Sequence, residues 1–177
     1  LAALLVAFIL SVIVNPKAPL TRYYDGAPEM LVIAHQGGDG VWPGDTMLAF
    51  ENAVQIGADV LEMDAHITKD GQIVLMHDEE VDRTTDGTGL IEELTLDELK
   101  QLDAAYDWSN DGGKTFPYRG RGIQVPTLEE VFQRFPQMRF VIEIKLTKNP
   151  IVKPLCDLIR QYNMQGKALI GSFHDEA

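Results

Sequence analysis

Past residue 29 the chain alternates between two hydrophobic rhythms. Short apolar runs of strand length recur at 30–35 "MLVIAH", 59–64 "DVLEMD", 72–77 "QIVLMH", 139–144 "RFVIEI" and 167–173 "KALIGSF". Between several of them the spacing changes to that of a helix. Residues 46–56 fit a helix with apolar positions Met47, Leu48, Phe50, Ala53 and Val54, and with Asp45 in the position of an N-cap. "TLDELKQL" and "TLEEVFQRF" each open on a Thr with an acidic residue three positions later, the signature of a capping box, and a last helix is expected over 151–163. Strand followed by helix, repeated, implies parallel strands joined by crossover helices, in either a doubly wound sheet or a barrel. The strand after Asp70-Gly71 follows its predecessor too closely for a helix to intervene. Residues 78–125, with the turns "DGTG", "NDGGK" and "RGRG", read as an excursion over one face of the sheet.

The first residues have a different character. "LAALLVAFILSVIV", residues 1–14, is unbroken in its apolarity and carries no charge, and it reads as the back part of a membrane anchor or of a signal segment. Residues 15–28, "NPKAPLTRYYDGAP", have no period and read as a linker to a globular unit over 29–177. The expected location is therefore the membrane, on its extracytoplasmic side, or outside the cell if the segment is cleaved.

Composition adds two constraints. With 177 residues, 45% hydrophobic and 24% charged, one ordinary globular domain is expected. A formal net charge of -12 disfavours nucleic acid as a partner, and it requires that any phosphate-bearing ligand be attracted by something local, such as a metal ion or a placed lysine. The single cysteine, Cys156, excludes an intrachain disulfide.

Several of the apolar runs end on ionisable residues. Alternation along a strand puts Glu62 and Asp64 on one face with Met63 on the other, and "VIEIK" places Glu143 and Lys145 together in the same way. His35 closes the first run and His77 the third. In a parallel barrel the C-terminal ends of the strands are where an active site is built. Glu62, Asp64 and Glu143 converging there would repel one another, and a hard divalent cation relieves that cost. All-oxygen donors favour Mg²⁺ or Ca²⁺ over Zn²⁺. His35 and His77 then suit proton transfer near neutral pH. His66 reads as structural or exposed, Asp78 as orienting a backbone or a neighbouring side chain, and Trp42, Tyr106 and Trp108 as either mouth or core.

Taken together, "IAHQGG", "PGDTMLAFENAVQIGADVLEMDAHITKDGQIVLMHDEEVDRTTDGTG", "TLDELKQLDA", "VPTLEEVF" and "VIEIK" resemble the glycerophosphodiester phosphodiesterase family, from about Leu31 to Phe173. With the apolar run 1–14, the resemblance is to a membrane-anchored type. It implies a (β/α)8 TIM barrel with an insertion after the third strand, of which about five strands are recognisable here, so that the chain reads as the N-terminal part of a truncated barrel. It also implies hydrolysis of glycerophosphodiesters to glycerol 3-phosphate and an alcohol. Residue by residue, it implies Glu62, Asp64 and Glu143 as ligands of Ca²⁺ or Mg²⁺, His35 and His77 as the acid/base pair, and Lys145 as the partner of the phosphate charge. Two departures stand out. Gln36 replaces the usual Arg, giving His-Gln-Gly, and keeps a neutral hydrogen-bond donor at a substrate-binding position, while Pro43-Gly44-Asp45-Thr46 lacks the usual Glu. Beside the glycerophosphodiester reading stand a lysophospholipase D acting on lysophospholipids and a membrane-tethered binding module that has lost catalysis.

Overall fold

Strand β2, Val60–Ile67, runs through the middle of the sheet, and seven of its eight residues are buried. It appears in a computed structural model that describes residues 22–145, 148 and 150–173; the apolar run 1–14 and the first half of the expected linker lie outside the described residues. Around β2 are β1 (Ile33–Ala34), β3 (Ile73–Leu75), β4 (Arg139–Ile144) and β5 (Ala168–Gly171). Four of these five form a parallel array in the order β1-β2-β4-β5. Helices α1 (Met47–Gln55), α2 (Leu96–Leu99), α3 (Leu128–Arg134) and α4 (Val152–Gln161) complete the described regular structure together with short 3-10 turns. This is the expected α/β class, with crossover helices joining parallel strands in the manner of a (β/α)8 barrel.

The alternation of side chains divides the sheet cleanly. Leu61, Met63, Ala65 and Ile67 of β2 and Phe140, Ile142 and Ile144 of β4 face the helices, where they join Phe50 and Ala53 of α1, Val131 and Phe132 of α3 and Leu155 of α4 in the main core. Phe132 and Phe140 meet edge to face with ring centroids 5.1 Å apart. The opposite faces of the same strands carry Glu62, Asp64 and Glu143. Register finishes the arrangement, because β2 and β4 pair with Asp64 directly across from Glu143.

β3 departs from the parallel expectation. It folds back on β2 as an antiparallel hairpin, with Ala65 opposite Leu75 and Ile67 opposite Ile73. The turn at Asp70-Gly71 is the reason, since Gly71 takes φ +83 and no crossover helix fits between the two strands. The upper part of β2 thus projects beyond the parallel array, and β3 returns the chain to the array's C-terminal rim. β1 ends at Ala34, so His35 opens a 3-10 turn rather than closing a strand. The excursion after β3 packs on a second small core of Val74, Met76, Val81, Ile91, Leu99 and Val125.

Helix starts follow the sequence with one correction. Thr46, not Asp45, caps α1: its Oγ1 accepts from Ala49 N at 3.2 Å and donates to Pro43 O at 2.6 Å. Asp45 is displaced from that role by a left-handed backbone at φ 53, which turns its carboxylate inward. Thr95 and Thr127 do form capping boxes with Glu98 and Glu130. At Thr127 the box is tied to a neighbouring element, because Glu130 also accepts from Lys100. Thr127→Ala should therefore lower stability by about 1 kcal/mol in urea unfolding with an unchanged m-value; an unchanged midpoint would mean that the cap carries no energy.

Candidate active site

At the C-terminal rim of the parallel strands, Glu62, Asp64 and Glu143 each present a carboxylate oxygen, and these atoms lie within 4.8 Å of one another. Lys145 bridges two of them, with Nζ 3.0 Å from Asp64 Oδ1 and 2.9 Å from Glu143 Oε1. The bridge is largely buried, since the side chains of Lys145, Asp64 and Glu143 are 13%, 2% and 17% exposed. Burial opposes the lysine's charge, but its bonds to Glu143 and Asp64 outweigh that and hold its pKa above the ordinary value. Among the described residues no lysine or arginine bridges Glu62 in this way. Burial, followed by repulsion from Asp64 and Glu143, raises its pKa despite a hydrogen bond from Gln36 N. Three hard oxygen donors with one compensating ammonium form a set that fits a divalent cation.

The edge of β2 opposite β4 explains how this cluster is held. β1 covers that edge at Val60 and Leu61, and β3 covers it from Ala65 onward. The residues between are served by side chains and loop backbone instead. Gln36 N donates to Glu62 Oε2 at 2.7 Å, Gln36 Nε2 donates to Asp64 Oδ2 at 2.8 Å, and Asp64 N donates to Asp45 Oδ1 at 3.2 Å. Asp45 thereby replaces a missing strand partner. Its other oxygen, Oδ2, is buried without a hydrogen bond among the described residues. Burial, then the charge of Asp64, pushes the Asp45 carboxyl well above the usual carboxylate range.

Both histidines reach this rim with their Nδ1 atoms engaged. His35 Nδ1 lies 3.2 Å from Asp39 Oδ1, and His77 Nδ1 lies 2.8 Å from Asp78 Oδ1. Because a carboxylate only accepts, each Nδ1 must carry hydrogen, which leaves Nε2 as the atom able to take or give a proton. The bond to Asp39, opposed by some burial, raises the pKa of His35, and Glu62 adds to the effect. Asp78 is fixed in turn by Arg83, whose Nε donates to Oδ2 and whose Nη2 donates to Oδ1 at 3.0 Å. Those bonds, with that of His77, lower Asp78 to about 2, so it is a stable anchor for the imidazole. A cavity of about 130 Å³ opens beside the centre, with Gln36, Asp45, His77, Arg83, Thr84 and Trp108 among its walls.

Every residue expected at the site thus comes to one rim, although two contacts differ from expectation. Gln36 and Lys145, expected to face phosphate, are each bonded to the carboxylate centre. His66 lies inside β2 rather than past its end. It is buried, with Nε2 3.4 Å from His77 O, and burial lowers its pKa. Three contributors went unassigned in the sequence: Asp39, Asp45 as a backbone acceptor, and Arg83. Asp39 had a signal, four residues after His35 in a loop. The other two depend on long-range folding. Trp108 lines the cavity, whereas Tyr106 stacks on Arg119 at 4.0 Å.

The model of the glycerophosphoryl diester phosphodiesterase family matches residues 35–171. A glycerophosphodiester phosphodiesterase of Caldanaerobacter subterraneus is 38% identical over 149 residues, which cover 81% of this chain and 58% of the relative. A human lysophospholipase D is 37% identical over 144 residues, covering 81% of this chain and 45% of the relative. The chain therefore spans between roughly half and three-fifths of the length of these curated relatives. Among solved structures, a glycerophosphoryl diester phosphodiesterase domain from Mycobacterium tuberculosis superposes with a TM-score of 0.77 at 27% identity, over 84% of this chain and 55% of that one. A phosphodiesterase from Oleispira antarctica, solved with the product sn-glycerol-3-phosphate, gives 0.61 at 30% identity, over 86% of this chain and 60% of that one.

The environment of Asp45 yields a prediction with a definite sign. A carboxyl whose pKa rises on folding favours the folded state fully below its unfolded pKa, and that contribution is lost as pH climbs toward the folded value. Asp45→Asn keeps an acceptor for Asp64 N and tolerates the left-handed backbone. In cation-free protein it should raise the urea midpoint at pH 7, with the gain shrinking as pH falls into the ordinary carboxylate range. A loss at pH 7, or a gain independent of pH, would contradict the assignment.

Proposed function

The chain belongs to the glycerophosphoryl diester phosphodiesterase family, and from that premise we propose that it carries the catalytic centre for cleaving glycerophosphodiesters to glycerol 3-phosphate and an alcohol. The observation that carries the reading is the placement of three carboxylates beside two histidines whose Nδ1 atoms are held by Asp39 and Asp78. Glu62, Asp64 and Glu143 would hold Ca²⁺ or Mg²⁺. Such an ion, when bound, supplies Lewis acidity toward a phosphate oxygen and a fixed point for orienting the substrate.

The chain's own residues account for the proton transfers. One imidazole Nε2 takes the proton of the glycerol 2-hydroxyl as that oxygen attacks phosphorus. The other protonates the departing alcohol oxygen as its bond to phosphorus breaks, leaving a cyclic glycerol phosphate. Water then opens the ring with the two roles exchanged, which restores both histidines to their starting protonation. Asp39 and Asp78 keep the proton on Nδ1 throughout, so each ring returns to the same tautomer. Lys145, turning from Asp64 and Glu143, and the second Nε2 hydrogen of Gln36 would donate to non-bridging phosphate oxygens. The apolar run 1–14 supports a further part of the reading, that the catalytic unit is held at a membrane.

Similarity to a human lysophospholipase D favours a second reading, in which the same chemistry acts on a lysophospholipid and releases its head group. Product analysis separates the two. The intact protein should release glycerol 3-phosphate from glycerophosphocholine and glycerophosphoethanolamine in the presence of Ca²⁺ or Mg²⁺ and not with chelator. His77→Ala should lower kcat by about 10²–10⁴-fold, and Glu62→Ala should abolish turnover even with Ca²⁺ or Mg²⁺ present. Turnover of lysophospholipid alone would select the second reading, and turnover unaffected by chelator would refute both.

A further inference from the structure

Gln36 sits where the loop after β1 meets the carboxylate centre, and its backbone and amide are both engaged there. Its backbone N–H goes to Glu62 Oε2 at 2.7 Å, its Nε2 to Asp64 Oδ2 at 2.8 Å, and its carbonyl accepts from Asp45 N at 3.0 Å. The residue is buried and left-handed at φ 48, a conformation that costs energy for a side chain with a Cβ and persists only when its surroundings fix it. The remaining polar atom, Oε1, lies over Gly44. A Cβ built there would stand 2.8 Å from Oε1, 3.2 Å from Gln36 Cβ and 3.0 Å from Asp39 Cβ. Gly44 is not among the residues with positive φ, so what this glycine contributes is space and not backbone freedom.

We propose that Gln36 and Gly44 form one positioning unit that sets the cation affinity of the carboxylate centre. Gly44 leaves the volume in which the Gln36 amide turns Nε2 onto Asp64, and that bond fixes the carboxylate plane. Asp64 is then held at both oxygens, by Lys145 at Oδ1 and by Gln36 at Oδ2. A neutral amide orients the carboxylate without cancelling its charge, so the attraction for a cation is retained while the ligand is prevented from rotating. Outer hydrogen bonds of this kind tune metal sites through the geometry of the ligands. The inference rests on the reading of Glu62, Asp64 and Glu143 as cation ligands.

The test is calorimetric titration of the intact protein with Ca²⁺ and, in parallel, with Mg²⁺. Gln36→Met keeps the side-chain length and removes the donor; Gly44→Ala keeps the donor and removes its room. Each should weaken binding by about 10–100-fold, and the double variant should bind no more weakly than the weaker single one, because both changes break the same bond. Thermal melting in chelator separates lost affinity from a lost fold, and Gln36→Met decides alone if Gly44→Ala does not fold. Undiminished binding by Gln36→Met, or losses that add in the double variant, would overturn the proposal. A wild-type protein that binds neither ion would overturn the cation reading itself.

Discussion

Mutual repulsion among Glu62, Asp64 and Glu143 is the constraint to which the rest of the molecule is fitted. Register between two parallel strands brings Asp64 and Glu143 side by side, and alternation along β2 adds Glu62 to the same face. Packing alone could not hold such a cluster, since burying like charges costs far more than a few apolar contacts return. Lys145 offsets part of the cost by bridging Asp64 and Glu143, and the core on the opposite face keeps the strands in register. Large residues such as Phe140 and Phe132 thus act on the cluster at one remove, by fixing the sheet from which the carboxylates project.

The second structural device is the interruption on the edge of β2 opposite β4. A continuous strand there would satisfy the backbone and leave no space for a loop. Instead β1 stops after Ala34 and β3 enters from the opposite direction, so the loop over 35–45 can insert its own donors and acceptors at Glu62 and Asp64. The left-handed residues Gln36 and Asp45 are the pivots of that insertion. The same loop carries His35, and the incoming β3 delivers His77. Carboxylate cluster and histidines are therefore assembled at a single break in the ladder, which explains why they share one rim.

Much of this was legible in the sequence, for identifiable reasons. Period-two alternation across Glu62-Met63-Asp64 and Glu143-Ile144-Lys145 predicts shared faces directly, and the faces are as expected. Capping boxes at Thr95 and Thr127 are local events that read true. The misreadings arise where long-range contacts override local preference. Asp45 has the chemistry of an N-cap, but the unpaired Asp64 N–H draws its carboxylate inward and leaves the cap to Thr46. His66 looks as if it lies beyond its strand until the hairpin with β3 extends β2 to Ile67. Arg83 has no local signature, because its importance comes from Asp78, which comes from His77.

Glu62, Asp64 and Glu143 as one cation site is a directly testable proposition. Diffraction from crystals grown with Mn²⁺, with anomalous differences collected at the manganese edge, tests it without any assay. The expected result is a peak bounded by oxygens of Glu62, Asp64 and Glu143 at distances of about 2.0–2.4 Å. Well-ordered carboxylates with no anomalous peak, and Lys145 still bridging Asp64 and Glu143 at high Mn²⁺, would contradict it.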